Sequence, residues 1–309
     1  MYTATMQASV IVASFNSRQT IERCLSSLER QNRRDLFEVL VSDSSTDGTA
    51  GIIESRFPDV RLFHFNDRKF PGDARNLAVA QSSGDVLIFL DADCFVEPDW
   101  IERVIEAHGG DYAAVGGALY NGNPRFRAGM AHYLFEFSLW LPASSPREQG
   151  EIPAGCLSVK RRLFERFGPF PEGAYSSDSV FSWRMREAGI PLLFEPSIHV
   201  FHVHTLGALK LLRAKMYHGR CFAWQRSRRW PAWKRFTFGV LAGALPVVVF
   251  FRIWRRVRGS PLHVEFWKTS HLIGLLAIWW SWGESRGYLS NRQPLPQDTS
   301  GSGHLREQN

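Results

Sequence analysis

The sequence predicts an α/β fold, a mostly parallel sheet with helices on both faces, followed by a hydrophobic helical C-terminal region. Over the first 120 residues, apolar runs of strand length alternate with stretches of helical periodicity, the pattern of repeated βαβ units. Polar clusters follow three of those runs, at the strand ends where open parallel sheets hold ligands. From about residue 205 the chain turns apolar, basic and tryptophan-rich.

Residues 8–13 (Ala-Ser-Val-Ile-Val-Ala) read as a first buried strand, ended by the turn Phe15-Asn16-Ser17. Ser17 is a candidate cap for a helix to about residue 31, with Ile21, Leu25 and Leu28 at three- and four-residue spacing. Residues 37–41 form a second strand and run into a polar segment, 42–49. A helix to about residue 56 and a third strand over 60–65 follow. Residues 73–81 read as helix and 86–90 as a fourth strand, Val-Leu-Ile-Phe-Leu. Residues 98–107 read as helix and 113–120 as strand. The middle section, 121–204, is less regular. It holds a strand-like piece at 155–159, an amphipathic stretch at 161–167, a loop over 168–177, a helix over 178–188 stopped by Gly189, and a strand-like piece at 192–194.

Composition narrows the class. The 309 residues are 44% hydrophobic and 13% aromatic, enough for a sizeable core. The net charge of +7 suggests an anionic partner: phosphate, nucleic acid or lipid headgroup. The bases cluster beside the apolar runs and not along an aromatic-interleaved groove, which favours anionic lipid and argues against nucleic acid. Cys24, Cys94, Cys156 and Cys221 form no metal-type pair, so reduced thiols in a cytosolic compartment are expected. Residues 1–8 are short and mostly polar, unlike a secretory signal.

Residues 206–224 read as an amphipathic basic helix. Two apolar runs follow, 236–251 and 271–282, each short of the roughly 20 residues that cross a bilayer comfortably. Arg226, Arg228, Arg229, Lys234 and Arg235 precede the first run, and Arg252, Arg255, Arg256 and Arg258 follow it. Short runs with basic flanks on both sides fit a re-entrant or interfacial hairpin. A pair of buried helices in a soluble domain is the plainer alternative. The expected organisation is therefore 1–204 as the binding and catalytic domain, 205–292 as amphipathic and hydrophobic helices at a membrane, and 293–309 as a disordered tail.

Asp91-Ala92-Asp93 closes the fourth strand. Carboxylates this close raise each other's pKa unless a cation neutralises them. A divalent metal carrying a phosphate group would do so, and hard carboxylate oxygens suit Mg²⁺ or Mn²⁺. Read alone, Asp91 can equally cap the next helix and Asp93 sit in a solvated loop. Asn16 and Asp43 also stand just past strand ends, so three polar clusters converge on one sheet edge.

Four segments, in order, resemble the family 2 glycosyltransferases, whose nucleotide-sugar-binding α/β domain is called the GT-A fold. They are Val10-Ile11-Val12-Ala13-Ser14-Phe15-Asn16; Asp43 through Thr49; Ala74-Arg75-Asn76 with Gly84 through Asp93; and Ser177-Asp178 through Trp183-Arg184 to Gly189. The resemblance covers about residues 8–204. Trp282-Gly283-Glu284 and Gly287-Tyr288-Leu289 are similar to membrane-associated members.

The resemblance implies inverting transfer of a sugar from a nucleotide-diphosphate sugar to an acceptor hydroxyl on a glycan or lipid-linked molecule, assisted by Mg²⁺ or Mn²⁺. It implies that Ser14, Phe15 and Asn16 line the nucleotide pocket, that Asp43 reads the base, and that Arg75 holds the nucleotide or its phosphates. Asp93 is implied as the metal ligand and Asp91 as the contact to ribose or a metal-bound water. His202 falls where some relatives complete the metal site; His199 and His204 are expected to share its strand face. Asp178 matches the catalytic base, with Trp183 and Arg184 framing the acceptor or diphosphate pocket. Two departures stand out: Ser177 replaces the family's usual Glu, and the loop before Thr46-Asp47-Gly48-Thr49 is one residue short. Asp47 is equally read as turn and helix-cap chemistry. The expected location is the cytoplasmic face of the cell membrane. The alternative is an inactive membrane-anchored protein that keeps the fold and binds nucleotide sugars.

Overall fold

The computed structural model describes residues 8–142, 145–290 and 292–294. The polar N-terminal segment 1–7 and the tail from 295, expected to be disordered, lie outside the described residues. The described residues fall into two compact units, within Met1–His204 and Thr205–Asn309.

The first unit runs β1 (Ala8–Ser14), α1 (Ile21–Glu29), β2 (Phe37–Asp43), α2 (Thr49–Arg56), β3 (Arg61–His64), α3 (Pro71–Val79), β4 (Val86–Asp91), β5 (Cys94–Val96), α4 (Trp100–His108), β6 (Ala114–Asn121), α5 (Arg127–Phe137), β7 (Arg147–Gln149), β8 (Leu157–Lys160), α6 (Arg161–Phe167), α7 (Ser177–Glu187) and β9 (Leu192–His202). The strands form one sheet in the order β3-β2-β1-β4-β8-β6-β9-β5, with β7 also on β9. The first four strands are mutually parallel. Val10, Ile11 and Val12 of β1, with Leu87 to Leu90 of β4, are almost fully buried. That burial on both faces is why these strands read as continuous apolar runs.

Register sets the site. Ser14 pairs with Asp43 and Ala13 with Asp91, so β1, β2 and β4 end level. Beyond β4 the sheet is mixed. β8 lies antiparallel between β4 and β6, and β9 returns parallel to β6. The four-residue β8 therefore separates two strands that a purely parallel reading would place side by side.

Local corrections follow from backbone chemistry. Ser17 contributes its carbonyl, which accepts the Ile21 N–H at 2.9 Å, so the helix starts four residues after the predicted cap. β9 has eleven residues where three were expected. Pro196, which has no N–H to give a ladder, lies in its middle, and the pairing with β6 shifts between Gly117 and Ala118. Burial alternates strictly along β9. His199 and His202 are three positions apart and so face opposite sides, contrary to the shared face expected. His199 Nδ1 instead meets Glu97 at 2.7 Å.

The second unit contains α8 (Ala208–Ser227), α9 (Ala232–Leu241), α10 (Leu245–Val257) and α11 (Leu262–Ser290). A 3-10 turn, Ala242–Ala244, joins α9 to α10. The resulting 26-residue helical stretch, Ala232–Val257, is long and apolar enough to cross a membrane. The 16-residue run read from sequence is only its uncharged centre. α8 and α11 pack at close range through glycines: a Cβ at Gly283 would overlap the Met216 carbonyl, and one at Gly287 would stand 2.5 Å from that of Arg220.

Candidate active site

The level ends of β1, β2 and β4 gather the first cluster. Asn16 has a φ of 52°, a left-handed conformation that Asn tolerates better than most residues. Its N–H donates to Ser45 Oγ at 2.7 Å, and its Oδ1 accepts from Thr46 N–H at 2.9 Å. Ser45 Oγ in turn donates to Asp43 Oδ1 at 2.5 Å. Asp43 is fully buried; its Oδ2 accepts from Ser45 N–H at 3.1 Å and meets His64 Nδ1 at 2.8 Å. The Arg68 guanidinium stands 4.4 Å above the Phe15 ring. Ser14 is buried and its hydroxyl has no hydrogen-bond partner. Asp47 Oδ1 accepts from Thr49 N–H at 3.2 Å and Thr49 Oγ1 at 2.5 Å, and its Oδ2 accepts from Arg18 N–H at 3.1 Å. That is turn chemistry just ahead of α2, whose N-cap is Gly48.

The acid pair forms the second cluster. Asp91 closes β4, and its Oδ1 receives Arg75 Nη2 at 2.5 Å. Arg75, on α3, is 5% exposed, and its Nε has no partner. A Cβ at Gly155 would lie 2.5 Å from Asp91 Oδ2, so only glycine lets that turn pass so close. The Asp93 carbonyl accepts from Val203 N–H at 2.8 Å, which joins the acid pair to the end of β9. Cys94 pairs with His202 across β5 and β9. His202 Nε2 lies 3.4 Å from Asp93 Oδ1.

Donor atoms of Asp91, Asp93, Cys94 and His202 all lie within 4.8 Å of one another. Burial pushes the Asp93 carboxyl above the usual range; His202 pulls it back down and Asp91 adds to the rise. A nearby dication would remove that penalty. His202 Nδ1 is buried without a partner. Two carboxylates and an imidazole are a donor set that fits a divalent cation such as Mn²⁺.

Asp178 forms the third cluster, in the first turn of α7 after Ser176 at a φ of 63°. Its Oδ2 accepts from Ala154 N–H and its Oδ1 from Ser179 N–H, both at 3.0 Å. Ser177 is 2% exposed and packs so tightly on Gly72 that a Cβ there would lie 2.8 Å from its hydroxyl. A glutamate at 177 would have to fit that buried contact with α3. Ser179 Oγ and the Trp183 side chain hydrogen bond to the Glu151 carboxylate. Burial raises the Glu151 carboxyl, and the charge of Asp178 adds to the rise. Arg184 turns elsewhere: its Nη1 donates to the Phe167 and Pro169 carbonyls at 2.9 and 2.8 Å. Six residues past Asp178 is about 120° round a helix, so the two do not share a face.

Residues 9–167 match the sequence profile described as glycosyl transferase family 2. The chain belongs to this family. As a family 2 member it is a glycosyltransferase, and its sheet and helices have the GT-A architecture. Glycosyltransferase AglE of Haloferax volcanii is 28% identical over 231 residues, which are 71% of this chain and 75% of that protein. Validoxylamine A glucosyltransferase of Streptomyces hygroscopicus is 30% identical over 152 residues, 47% of this chain and 36% of that one. Among solved structures, mannosyltransferase PcManGT from Pyrobaculum calidifontis, in complex with GDP-Man and Mn²⁺, superposes with a TM-score of 0.59. It is 18% identical, and the match covers 93% of this chain and 88% of that one. TarS of S. aureus in complex with UDP-GlcNAc gives 0.52 at 16% identity, with 91% of each chain covered.

In this family 2 glycosyltransferase, four residues beside the expected site residues escaped the sequence reading. Cys94 directly follows Asp93, and its adjacency was the available signal. His64 ends the third strand, and Gly155 opens a strand-like piece. Glu151 stands 27 positions before Asp178, and no local pattern marks it.

Proposed function

We propose that this enzyme transfers a sugar, with inversion, from a nucleoside-diphosphate sugar to a hydroxyl of a glycan or lipid-linked acceptor. The observation that carries the reading is the cluster of Asp91, Asp93 and His202 at the level strand ends, with Arg75 closed on Asp91. Asp93 and His202 hold a divalent cation, Mg²⁺ or Mn²⁺. When bound, it offsets the charge that develops on the departing diphosphate.

The remaining work falls to the chain. Ser14, Phe15 and Asn16 line the nucleoside pocket, with Asp43 held in place to accept from the base edge. Arg75 fixes the Asp91 carboxylate, whose other oxygen faces Gly155, so Asp91 presents one rigid orientation to ribose or water. Asp178, anchored by two backbone N–H groups, takes the acceptor proton as the hydroxyl oxygen attacks the anomeric carbon. The new C–O bond forms as the bond to the diphosphate breaks, and that electron pair leaves with the diphosphate. Trp183 borders the acceptor side through Glu151. Arg184 braces the Phe167–Pro169 loop.

The second unit docks this enzyme on an anionic membrane, at its cytoplasmic face. Trp233, Phe236, Val240, Val247 and Phe251 on the Ala232–Val257 stretch are 56–71% exposed, with Arg228, Arg229, Lys234 and Arg235 at one end and Arg252, Arg255, Arg256 and Arg258 at the other. Such a helix lies in the interface with its apolar face in the acyl boundary.

A thermal-shift screen of nucleoside diphosphates and their sugars, with and without Mn²⁺, tests the donor reading. Stabilisation by one nucleotide series that needs Mn²⁺ is expected. Absence of any Mn²⁺-dependent shift across the series contradicts it.

A further inference from the structure

The geometry points to a second mode of the acid cluster: a closed, four-ligand site for a thiophilic dication such as Zn²⁺, with the Cys94 sulfur as one ligand. It rests on the donor-site reading above and adds a ligand and a metal class to it. Mg²⁺ and Mn²⁺ prefer oxygen, whereas thiolate together with imidazole selects Zn²⁺.

Three observations place the thiol. Cys94 stands directly opposite His202 in the antiparallel ladder of β5 and β9, so both side chains leave the same face of the sheet. Its sulfur lies 4.0 Å from Asp93 Oδ1, and His202 Nε2 lies 3.4 Å from that same oxygen. The fourth donor, Asp91, is within 4.8 Å of the others. Tetrahedral bonds of about 2.0–2.3 Å put donor atoms roughly 3.3–3.8 Å apart, so small rotamer changes close the set. His202 is 9% exposed, its ring stacks on His204, its Nε2 faces Asp93 and its Nδ1 has no hydrogen-bond partner, so no hydrogen bond outside the cluster holds the imidazole.

Coordination number gives the consequence. Four protein ligands complete a tetrahedral shell, and closed shells are structural whereas catalytic sites keep a position open. Zn²⁺ in this mode leaves no position for the diphosphate oxygens. It holds the enzyme in a resting state that Mn²⁺ and donor must displace. Ligation replaces the thiol proton, which leaves to solvent.

The test uses the full chain loaded with Zn²⁺ in the absence of nucleotide. X-ray absorption is expected to find one sulfur scatterer at about 2.3 Å beside nitrogen and oxygen. Co²⁺, a spectroscopic stand-in, is expected to give a near-ultraviolet thiolate charge-transfer band. That band should vanish in Cys94→Ser, persist in Cys24→Ser and Cys156→Ser, and fall when UDP or GDP is added with Mn²⁺. Cys94→Ser is also expected to weaken Zn²⁺ binding at least about tenfold. A Zn²⁺ shell of nitrogen and oxygen alone in the wild type overturns the inference, whether or not the serine variant folds. So does a cobalt band that survives Cys94→Ser. Mn²⁺-dependent nucleotide binding, measured by calorimetry on the same preparation, separates the two readings. If it persists while sulfur is absent, the closed site fails and the donor site stands. If sulfur is present while Mn²⁺-dependent nucleotide binding is absent, the closed site stands and the donor reading fails.

Discussion

Asp178 and Asp91 grip the same turn from two sides. Ala154 donates its N–H to Asp178 Oδ2 at 3.0 Å, and the next residue, Gly155, passes so close to Asp91 Oδ2 that a Cβ would stand 2.5 Å away. The turn Ala154–Cys156 is thus a spacer between the Asp91 and Asp178 carboxylates. Asp178 belongs to α7 and Asp91 to β4, so neither element alone fixes their separation.

That spacer predicts the effect of Gly155→Ala. The added methyl pushes on a carboxylate already held by Arg75. Overpacking of this kind costs about 1–3 kcal/mol. We expect a folded protein whose affinity for nucleotide in the presence of Mn²⁺ falls at least about tenfold, measured by calorimetry. Unchanged affinity would show that Asp91 takes no part in donor binding.

Asp178→Asn keeps the size of the side chain and one hydrogen-bond acceptor, but not the basicity. Donor binding should be retained and transfer should fall by about 10²–10⁴, the usual share of a general base. Radiolabelled sugar transfer and nucleotide calorimetry on one preparation check both halves. Transfer at the wild-type rate removes Asp178 from the base role.

His108, on α4, makes stability pH-dependent. Its Nε2 meets Ser158 Oγ at 2.8 Å, and burial lowers its pKa from 6.5 to about 4, with Lys160 adding to the fall. The unfolded chain protonates first as pH drops. The contribution is therefore fully present above pH 6.5 and is lost as pH falls through the folded pKa. Between pH 7.5 and 5 the loss is about 2 kcal/mol. Urea unfolding at both pH values should show a smaller drop in His108→Gln than in the wild type. Equal drops would place the pH sensitivity elsewhere.

The exposed apolar face of the second unit predicts binding to anionic vesicles that weakens with salt, because screening shortens the reach of the flanking bases. Replacing Trp233 and Phe236, 71% and 62% exposed, with glutamate should reduce co-sedimentation at least about tenfold. Binding that ignores both substitutions would assign the membrane contact to another surface.

The strands of the parallel half were legible because burial on both faces leaves unbroken apolar runs, and the acid pair because it interrupts one. Pro196 concealed β9, since a proline reads as a break in a strand although here it coincides with a shift in pairing. The opposite faces of His199 and His202 were legible in their three-residue spacing, which on any strand puts two side chains on opposite sides. Glu151 was illegible because its link to α7 joins segments far apart in sequence. Arg184 was placed at the site by its motif, yet the turn angle of α7 directs it to the Phe167 and Pro169 carbonyls. The length of the Ala232–Val257 stretch was hidden because Lys234, Arg235 and Arg252 bound the uncharged run without ending the helix.

If the acid cluster at the strand ends holds a cation that donor binding needs, loss of Mn²⁺ and loss of Asp93 should weaken binding in the same way. Calorimetric titration of the stabilising nucleotide sugar into wild type and Asp93→Ala, each with and without Mn²⁺, tests it most directly. Mn²⁺-dependent binding is expected in the wild type, with at least about a hundredfold loss in Asp93→Ala, a change of more than roughly 2.7 kcal/mol. Mn²⁺-dependent binding of equal strength in both proteins would contradict it.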